Sequence, residues 1–169
     1  MGSKRSKGIL FGILVISVCF LGSATQAGAE TWNYRAYSWV VKGDMYPVSD
    51  KEGHAVGSTV RGAFYAFENG EVATATVVGT FDFTKGKGPF VNYVNMNFED
   101  GSSIMIKTQA TFGGGSSGWT SEIIKGTGRF EGIKGIQSTS KFKFLPVEKG
   151  EPGAKGYGEG SLTFTLPSK

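Results

Sequence analysis

The sequence predicts an all-β domain: eight antiparallel strands closed into a barrel. Three observations carry this expectation. Apolar and polar residues alternate over short segments with the two-residue period of a strand. Clusters of Gly and Asx residues separate those segments, as turns require, and glycine alone supplies 27 of the 169 residues. After the first 29 residues, no stretch shows a sustained helical period.

The eight expected strands are Thr31 to Lys42, Gly57 to Phe67, Glu71 to Thr84, Pro89 to Phe98, Ser102 to Phe112, Ser121 to Phe130, Ile136 to Leu145 and Lys155 to Leu166. In the first, Trp32 and Tyr34 share one parity and Tyr37 and Trp39 the other, so a bulge near Arg35 or Ala36 would reconcile them. Asp44 to Ala55, with Pro47, Ser49, Asp50 and Gly53, reads as a surface loop. Asn69-Gly70 and Asp100-Gly101 are expected to form two-residue type I′ turns, which need residues that tolerate positive φ. Between them, Ala73, Ala75, Val77, Phe81 and Phe83 fall on one face of the third strand. Phe112 to Gly118 is a glycine-rich connection, and Glu148 to Lys155 a polar loop. The last strand aligns Gly156, Gly158 and Gly160 with Leu162, Phe164 and Leu166, a pattern that invites close approach by a neighbour.

Residues 1–29 read as a cleaved secretory signal peptide. Lys4, Arg5 and Lys7 precede an apolar run, Ile9 to Leu21, and Ala27-Gly28-Ala29 supplies the small-residue cleavage signal. At about 13 residues the run is shorter than the roughly 20 of a spanning helix. A single domain, residues 30–169, is expected outside the cytoplasm, secreted or periplasmic, with no membrane insertion after cleavage. The formal charge of +4 falls to about +1 when the leader departs. The remaining Lys and Arg are scattered among acids, which argues against nucleic acid as a partner. Cys19, the sole cysteine, leaves with the leader. Thiol chemistry is thereby excluded from the domain, and the absence of disulfides fits a bacterial exported protein.

Metal, cofactor and triad chemistry find little support. His54 is the only histidine and reads as a solvated loop residue, so neither a metal site nor a Ser-His-Asp device can be assembled convincingly around it. Glu68, Glu99 and Asp100 are explained as turn residues. Asp82 and Glu122 complete the carboxylates that could meet in space. Aromatic residues are more informative, because a small barrel uses them either to fill itself or to line a cavity.

The sharpest local signature is Gly126-Thr127-Gly128-Arg129-Phe130-Glu131-Gly132-Ile133-Lys134-Gly135. It reads as a strand end, a compact turn whose Phe130 and Ile133 tuck under the sheet, and a new strand. It lacks the lysine and hydroxyl of a P-loop. The decapeptide resembles the corresponding turn of the allene oxide cyclase family and, more loosely, that of plant dirigent proteins. The resemblance implies an eight-stranded antiparallel barrel of lipocalin-like shape, a bound fatty-acid epoxide in cyclases, and a homo-oligomer, a trimer in family relatives. An acidic residue and a nearby Asn on the first strand serve the cyclase site. Here that strand has Asn33 but no carboxylate, so the reaction is not carried over.

The leading functional expectation is an exported barrel that binds a small hydrophobic or amphipathic molecule, with Tyr34, Tyr37, Trp39, Tyr65, Asn92 and Gln109 facing the ligand. No cofactor is expected. An isomerase or cyclase that steers a reactive substrate is one alternative, and a carboxylate such as Glu68 or Asp82 in the cavity would favour it. A structural or interaction module without ligand is the other, favoured by a filled interior.

Overall fold

The structure, a computed structural model, describes residues 28–113, 119–151 and 153–168. The expected leader up to Ala27 and the glycine-rich Gly114 to Gly118 lie outside the described residues. Eight strands follow in chain order: β1 (Glu30–Pro47), β2 (His54–Phe67), β3 (Val72–Thr84), β4 (Gly88–Phe98), β5 (Ser103–Phe112), β6 (Trp119–Thr127), β7 (Lys134–Leu145) and β8 (Lys155–Thr165). Each pairs antiparallel with the next, and β1 pairs with β8 to close the barrel. Closure satisfies both edges of the sheet, as a domain without disulfides requires.

Alternation sets which side chains face inward. Trp32, Tyr34, Ala36, Ser38 and Val40 point into the barrel from β1, and Arg35, Tyr37 and Trp39 point out. The expected bulge at Arg35 or Ala36 is therefore absent, and the ladder with β2 runs unbroken from Tyr34 to Val40. The register shifts instead between Val40 and Lys42. β1 also continues to Pro47, paired with Ala55, so the expected loop shrinks to Val48 to Gly53. On β3 the expected inward row is found, with Ala73, Ala75 and Val77 buried and Phe81 and Phe83 lining the upper cavity.

The turns differ in kind from the expectation. At Asn69-Gly70 and Asp100-Gly101 only the glycine has positive φ (+88° and +81°). Gly70 N–H bonds to Phe67 O and Phe67 N–H to Glu71 O, and the same pattern joins Gly101, Phe98 and Ser102. These are three-residue loops that end in a left-handed glycine, the common longer hairpin. Asn69 Oδ1 accepts from Glu71 N–H at 3.1 Å and Asp100 Oδ1 from Ser102 N–H at 2.9 Å, which explains the Asx at each site. The type I′ geometry occurs at Lys85-Gly86, where both central residues have positive φ (52° and 75°) between reciprocal Thr84 and Lys87 hydrogen bonds.

The two ends of the barrel contrast. At the end bearing the β2–β3, β4–β5 and β6–β7 turns, Trp32 meets Phe67, Phe98, Phe130 and Phe164 edge-on at 5.1–6.4 Å between ring centres. Edge-to-face contacts of this kind add to the burial of the rings themselves. The β6–β7 connection forms a short 3-10 turn, Gly128–Phe130, which drives Phe130 and Ile133 into the core as the sequence suggests. A Cβ at Gly126 would strike Phe130 O and come within 2.6 Å of Ile133, so only glycine lets the turn fold back there. This end is plugged. At the opposite end the described residues leave a cavity that opens toward the loops.

Candidate functional site

Above the plug the inward face becomes polar. Tyr34 and Tyr65 are buried with their rings in edge contact at 5.2 Å, and Gln137 lies against both hydroxyls. The Tyr34 hydroxyl shares hydrogen bonds with Thr139 Oγ1 at 3.0 Å and Ser138 O at 3.2 Å. Across the barrel, Thr108 Oγ1 and Ser121 Oγ pair at 2.7 Å. A small cavity of about 60 Å³ separates these groups. Polar residues on the core face are stable here because most of them find partners.

Arg61 sits over this layer. It lies on the same face of β2 as Ala63, Tyr65 and Phe67, and it lines both the small cavity and the larger one above it. The Asn92 carboxamide satisfies both of its ends with its oxygen toward the guanidinium: the oxygen accepts from Arg61 Nη2 at 3.0 Å, and the NH2 donates to Val91 O at 3.3 Å. Arg61 Nε is buried without a hydrogen-bond partner among the described residues. Among the described residues, no ion pair includes Arg61. Burial pushes its pKa down, but from so high a starting value that the group stays cationic at neutral pH.

The larger cavity, about 240 Å³, opens toward the loops and is walled by aromatic rings. Phe81, Phe83, Phe90, Phe112, Trp119, Phe142 and Phe144 line it, with Ser38, Val40 and Thr59 between them and Arg61 and Asn92 below. Trp119 meets Phe90 edge-on at 5.8 Å and Phe142 at 5.7 Å. A register shift between Thr139 and Lys141 turns Phe142 and Phe144 onto the inner side of β7. Re-aiming side chains is the usual consequence of such a bulge. Phe142 then lies over Gly156, where any side chain would collide with its ring.

Among the described residues, no Asp or Glu lines either cavity. Glu68 is exposed at the plugged end, where it accepts from Asn33 Nδ2 at 2.9 Å, and Asp82 faces outward to His54. Burial raises the pKa of both Tyr34 and Tyr65, with the neighbouring hydroxyl adding to the effect at Tyr34, so both phenols stay protonated at neutral pH. The described lining thus supplies hydrogen-bond donors, apolar rings and two cations, Arg61 and Lys155, and no side chain ready to act as a general base.

Of the sequence-derived site residues, the structure brings Tyr34, Tyr65 and Asn92 together inside the barrel. It places Tyr37, Trp39 and Gln109 on the outer surface. Tyr37 and Trp39 stack on each other there at 5.8 Å. Gln109 lies outside because its neighbour Thr108 is the inward residue of β5. His54 is also not a free loop residue: it starts β2, with Nδ1 on Asp50 and Nε2 2.8 Å from Asp82 Oδ1. Sequence reasoning missed Arg61 and Gln137, although counting back in twos from Phe67 puts Arg61 on the core face.

No protein-family model matches this chain, and neither does any curated protein sequence. Solved structures do resemble it. The pterocarpan synthase dirigent protein PsPTS1 superposes with a TM-score of 0.55 at 13% identity, over 85% of this chain and 99% of that one. The pterocarpan synthase dirigent protein GePTS1 gives 0.53 at 12% identity, over 84% of this chain and 92% of its own. The fold is accordingly a dirigent-like barrel. Identities this low speak for architecture and not for chemistry.

Proposed function

We propose that the chain is an extracytoplasmic binding protein that takes a small apolar or amphipathic molecule into the open end of its barrel. The observation that carries this reading is the aromatic cavity set over a polar floor. Ligand sites combine an apolar wall with a few convergent polar groups in this way. At about 240 Å³ the cavity lies below the roughly 300–1,000 Å³ of sites for drug-sized molecules, which favours a compact ligand of one or two rings. The leader-like residues 1–29 support export. The cyclase alternative rests on the decapeptide and gains nothing from the described cavity lining, which holds no Asp or Glu.

Native mass spectrometry of the protein purified without detergent from an exporting host, followed by denaturing extraction, tests this function. A discrete co-purifying small molecule, or an adduct formed on incubation with small aromatic and aliphatic compounds, is the expected result. A mass that stays unliganded throughout would overturn it.

A second reading, an interaction module, is favoured by one observation. Tyr37, Trp39 and Phe64 are each about two-fifths exposed on the outer face of β1 and β2, and Tyr37 and Phe64 are register partners. Sedimentation would reveal the homo-oligomer this reading expects, and Trp39→Ala would shift it toward monomer.

A further inference from the structure

We infer that the ligand is an organic anion, a carboxylate on a compact apolar body, and that Arg61 is the residue that recognises the charge. The inference rests on the binding function proposed above and narrows it.

A guanidinium offers five N–H donors in a planar fork suited to a carboxylate. Arg61 uses one of them on the neutral Asn92 amide, and its Nε has no partner among the described residues. Removing an ion from water is costly unless a counter-charge or enough hydrogen bonds replace hydration. Structural arginines inside proteins meet that cost with a carboxylate, and none of the described acidic residues is within ion-pair distance of this one. The other cation on the cavity lining, Lys155, is already matched by Glu151 at 2.7 Å. Of these two lining cations, Arg61 is the one left without a counter-charge among the described residues.

Its position completes the argument. The residue lines both cavities, so an anion held by it sits at the boundary between polar floor and aromatic wall. A carboxylate there accepts from the guanidinium while the Tyr65 hydroxyl, which lies in the Arg61 field, remains a protonated donor nearby. The apolar remainder of the molecule then extends upward among Phe90, Trp119 and Phe142. A neutral ligand of the same shape would leave the cation without a counter-charge.

The test titrates the purified protein with two matched pairs at neutral pH, following tryptophan fluorescence and calorimetric heat: 3-phenylpropanoate against 3-phenylpropanamide, and octanoate against octanamide. The expected result is that each acid binds about tenfold or more tightly than its amide, the margin of a charge-assisted pair. Arg61→Gln should erase that preference while amide binding persists, and Arg61→Lys should retain part of it. Equal binding of acid and amide by the unaltered protein would overturn the anion inference and leave the cavity function standing. Binding of none of the four compounds would overturn both. Should Arg61→Gln fail to fold, the acid-to-amide ratio of the unaltered protein remains decisive. Preference for the phenyl pair or the octyl pair tells whether the walls select a ring or a chain.

Discussion

The Tyr34 hydroxyl on β1 lies 3.0 Å from the Thr139 hydroxyl on β7, although β8 runs between the two strands. Gly160 makes the contact possible. It is the register partner of Tyr34 in one ladder and of Thr139 in the other, and the tyrosine crosses directly over it. The bridge ties three strands together beneath the cavity and fixes the polar floor.

Substituting Gly160 with alanine should therefore damage the protein more than a typical one-carbon change. The new Cβ would collide with Ser138 O and stand 2.5 Å from the Tyr34 hydroxyl, so backbone as well as side chain must move. Overpacking of this sort costs about 1–3 kcal/mol. Thermal denaturation should show a fall in Tm of several degrees for Gly160→Ala, and a smaller one for Tyr34→Phe, which removes only the hydroxyl. An unchanged Tm for Gly160→Ala would mean that Tyr34 does not cross β8 as described.

The strands were legible because two independent signals agreed: alternation marked the segments, and Gly and Asx marked the reversals. Which face looked inward was harder. Tyr37 and Trp39 were drawn toward the core by their size, yet β1 keeps strict alternation through Ala36 and Ser38, small residues that leave space where the cavity lies. Bulges at Val41 and Ser140 insert single residues that the local pattern does not announce, since their register depends on the partner strand. The turn types were misjudged for a similar reason. Asn-Gly indicates a positive φ, whereas loop length is set by how the flanking strands pair. Arg61 escapes a reading of the sequence because charge predicts exposure, and a cation on the core face breaks that rule.

Arg129 should be the fastener of the plugged end. Its guanidinium forms two hydrogen bonds with Glu71, at 2.7 and 2.6 Å, approaches Asp100 at 3.2 Å, and lies 4.7 Å from the Phe130 ring centre. It thereby joins three turns. Arg129→Ala is expected to cost about 1–2 kcal/mol, through lost ring contact and the lost Glu71 pair, with part of the ionic contribution screened by solvent. The arginine's hydrogen bonds lower the Glu71 pKa, and the Ser102 hydrogen bonds, with Arg129 adding to them, lower that of Asp100. Lowered carboxylate values contribute stability above the unfolded pKa, lost as pH falls through the folded one. Denaturant midpoints measured between neutral pH and pH 3 should decline for the unaltered protein and decline less for Arg129→Ala.

His54 gives the opposite sign at the open end. Hydrogen bonds to Asp50 first and to Asp82 second raise its pKa above the ordinary 6.5, and the bond from His54 lowers that of Asp50. The histidine's contribution is complete below 6.5 and disappears as pH rises through its folded value. Asp50 contributes above its ordinary 3.8 and loses that contribution as acid protonates it. The clasp between the β1–β2 loop and β3 should consequently be tightest in mildly acidic solution. Amide exchange of Val48 to His54 should be slower near pH 5.5 than near pH 8.5 once corrected for intrinsic rates, and His54→Gln should remove the difference. Equal corrected rates at both values would show that the imidazole does not bridge the two carboxylates.

The wall and floor of the cavity should be separable by mutation. Phe142 contacts Trp119 at 5.7 Å and Phe144 at 5.1 Å, and it covers Gly156 without donating or accepting any hydrogen bond. Phe142→Ala removes apolar contact area from whatever enters, independent of the ligand's charge. Its stability cost should fall below the roughly 3–5 kcal/mol of a fully buried phenylalanine, because the ring is only partly buried at the mouth. Titrated with 3-phenylpropanoate and 3-phenylpropanamide, this variant should bind both more weakly by a similar factor and leave their ratio intact. Arg61→Gln should instead change the ratio. If Phe142→Ala altered the acid and amide unequally, the aromatic wall would be taking part in charge recognition, and the division between an apolar wall and a cationic floor would fail.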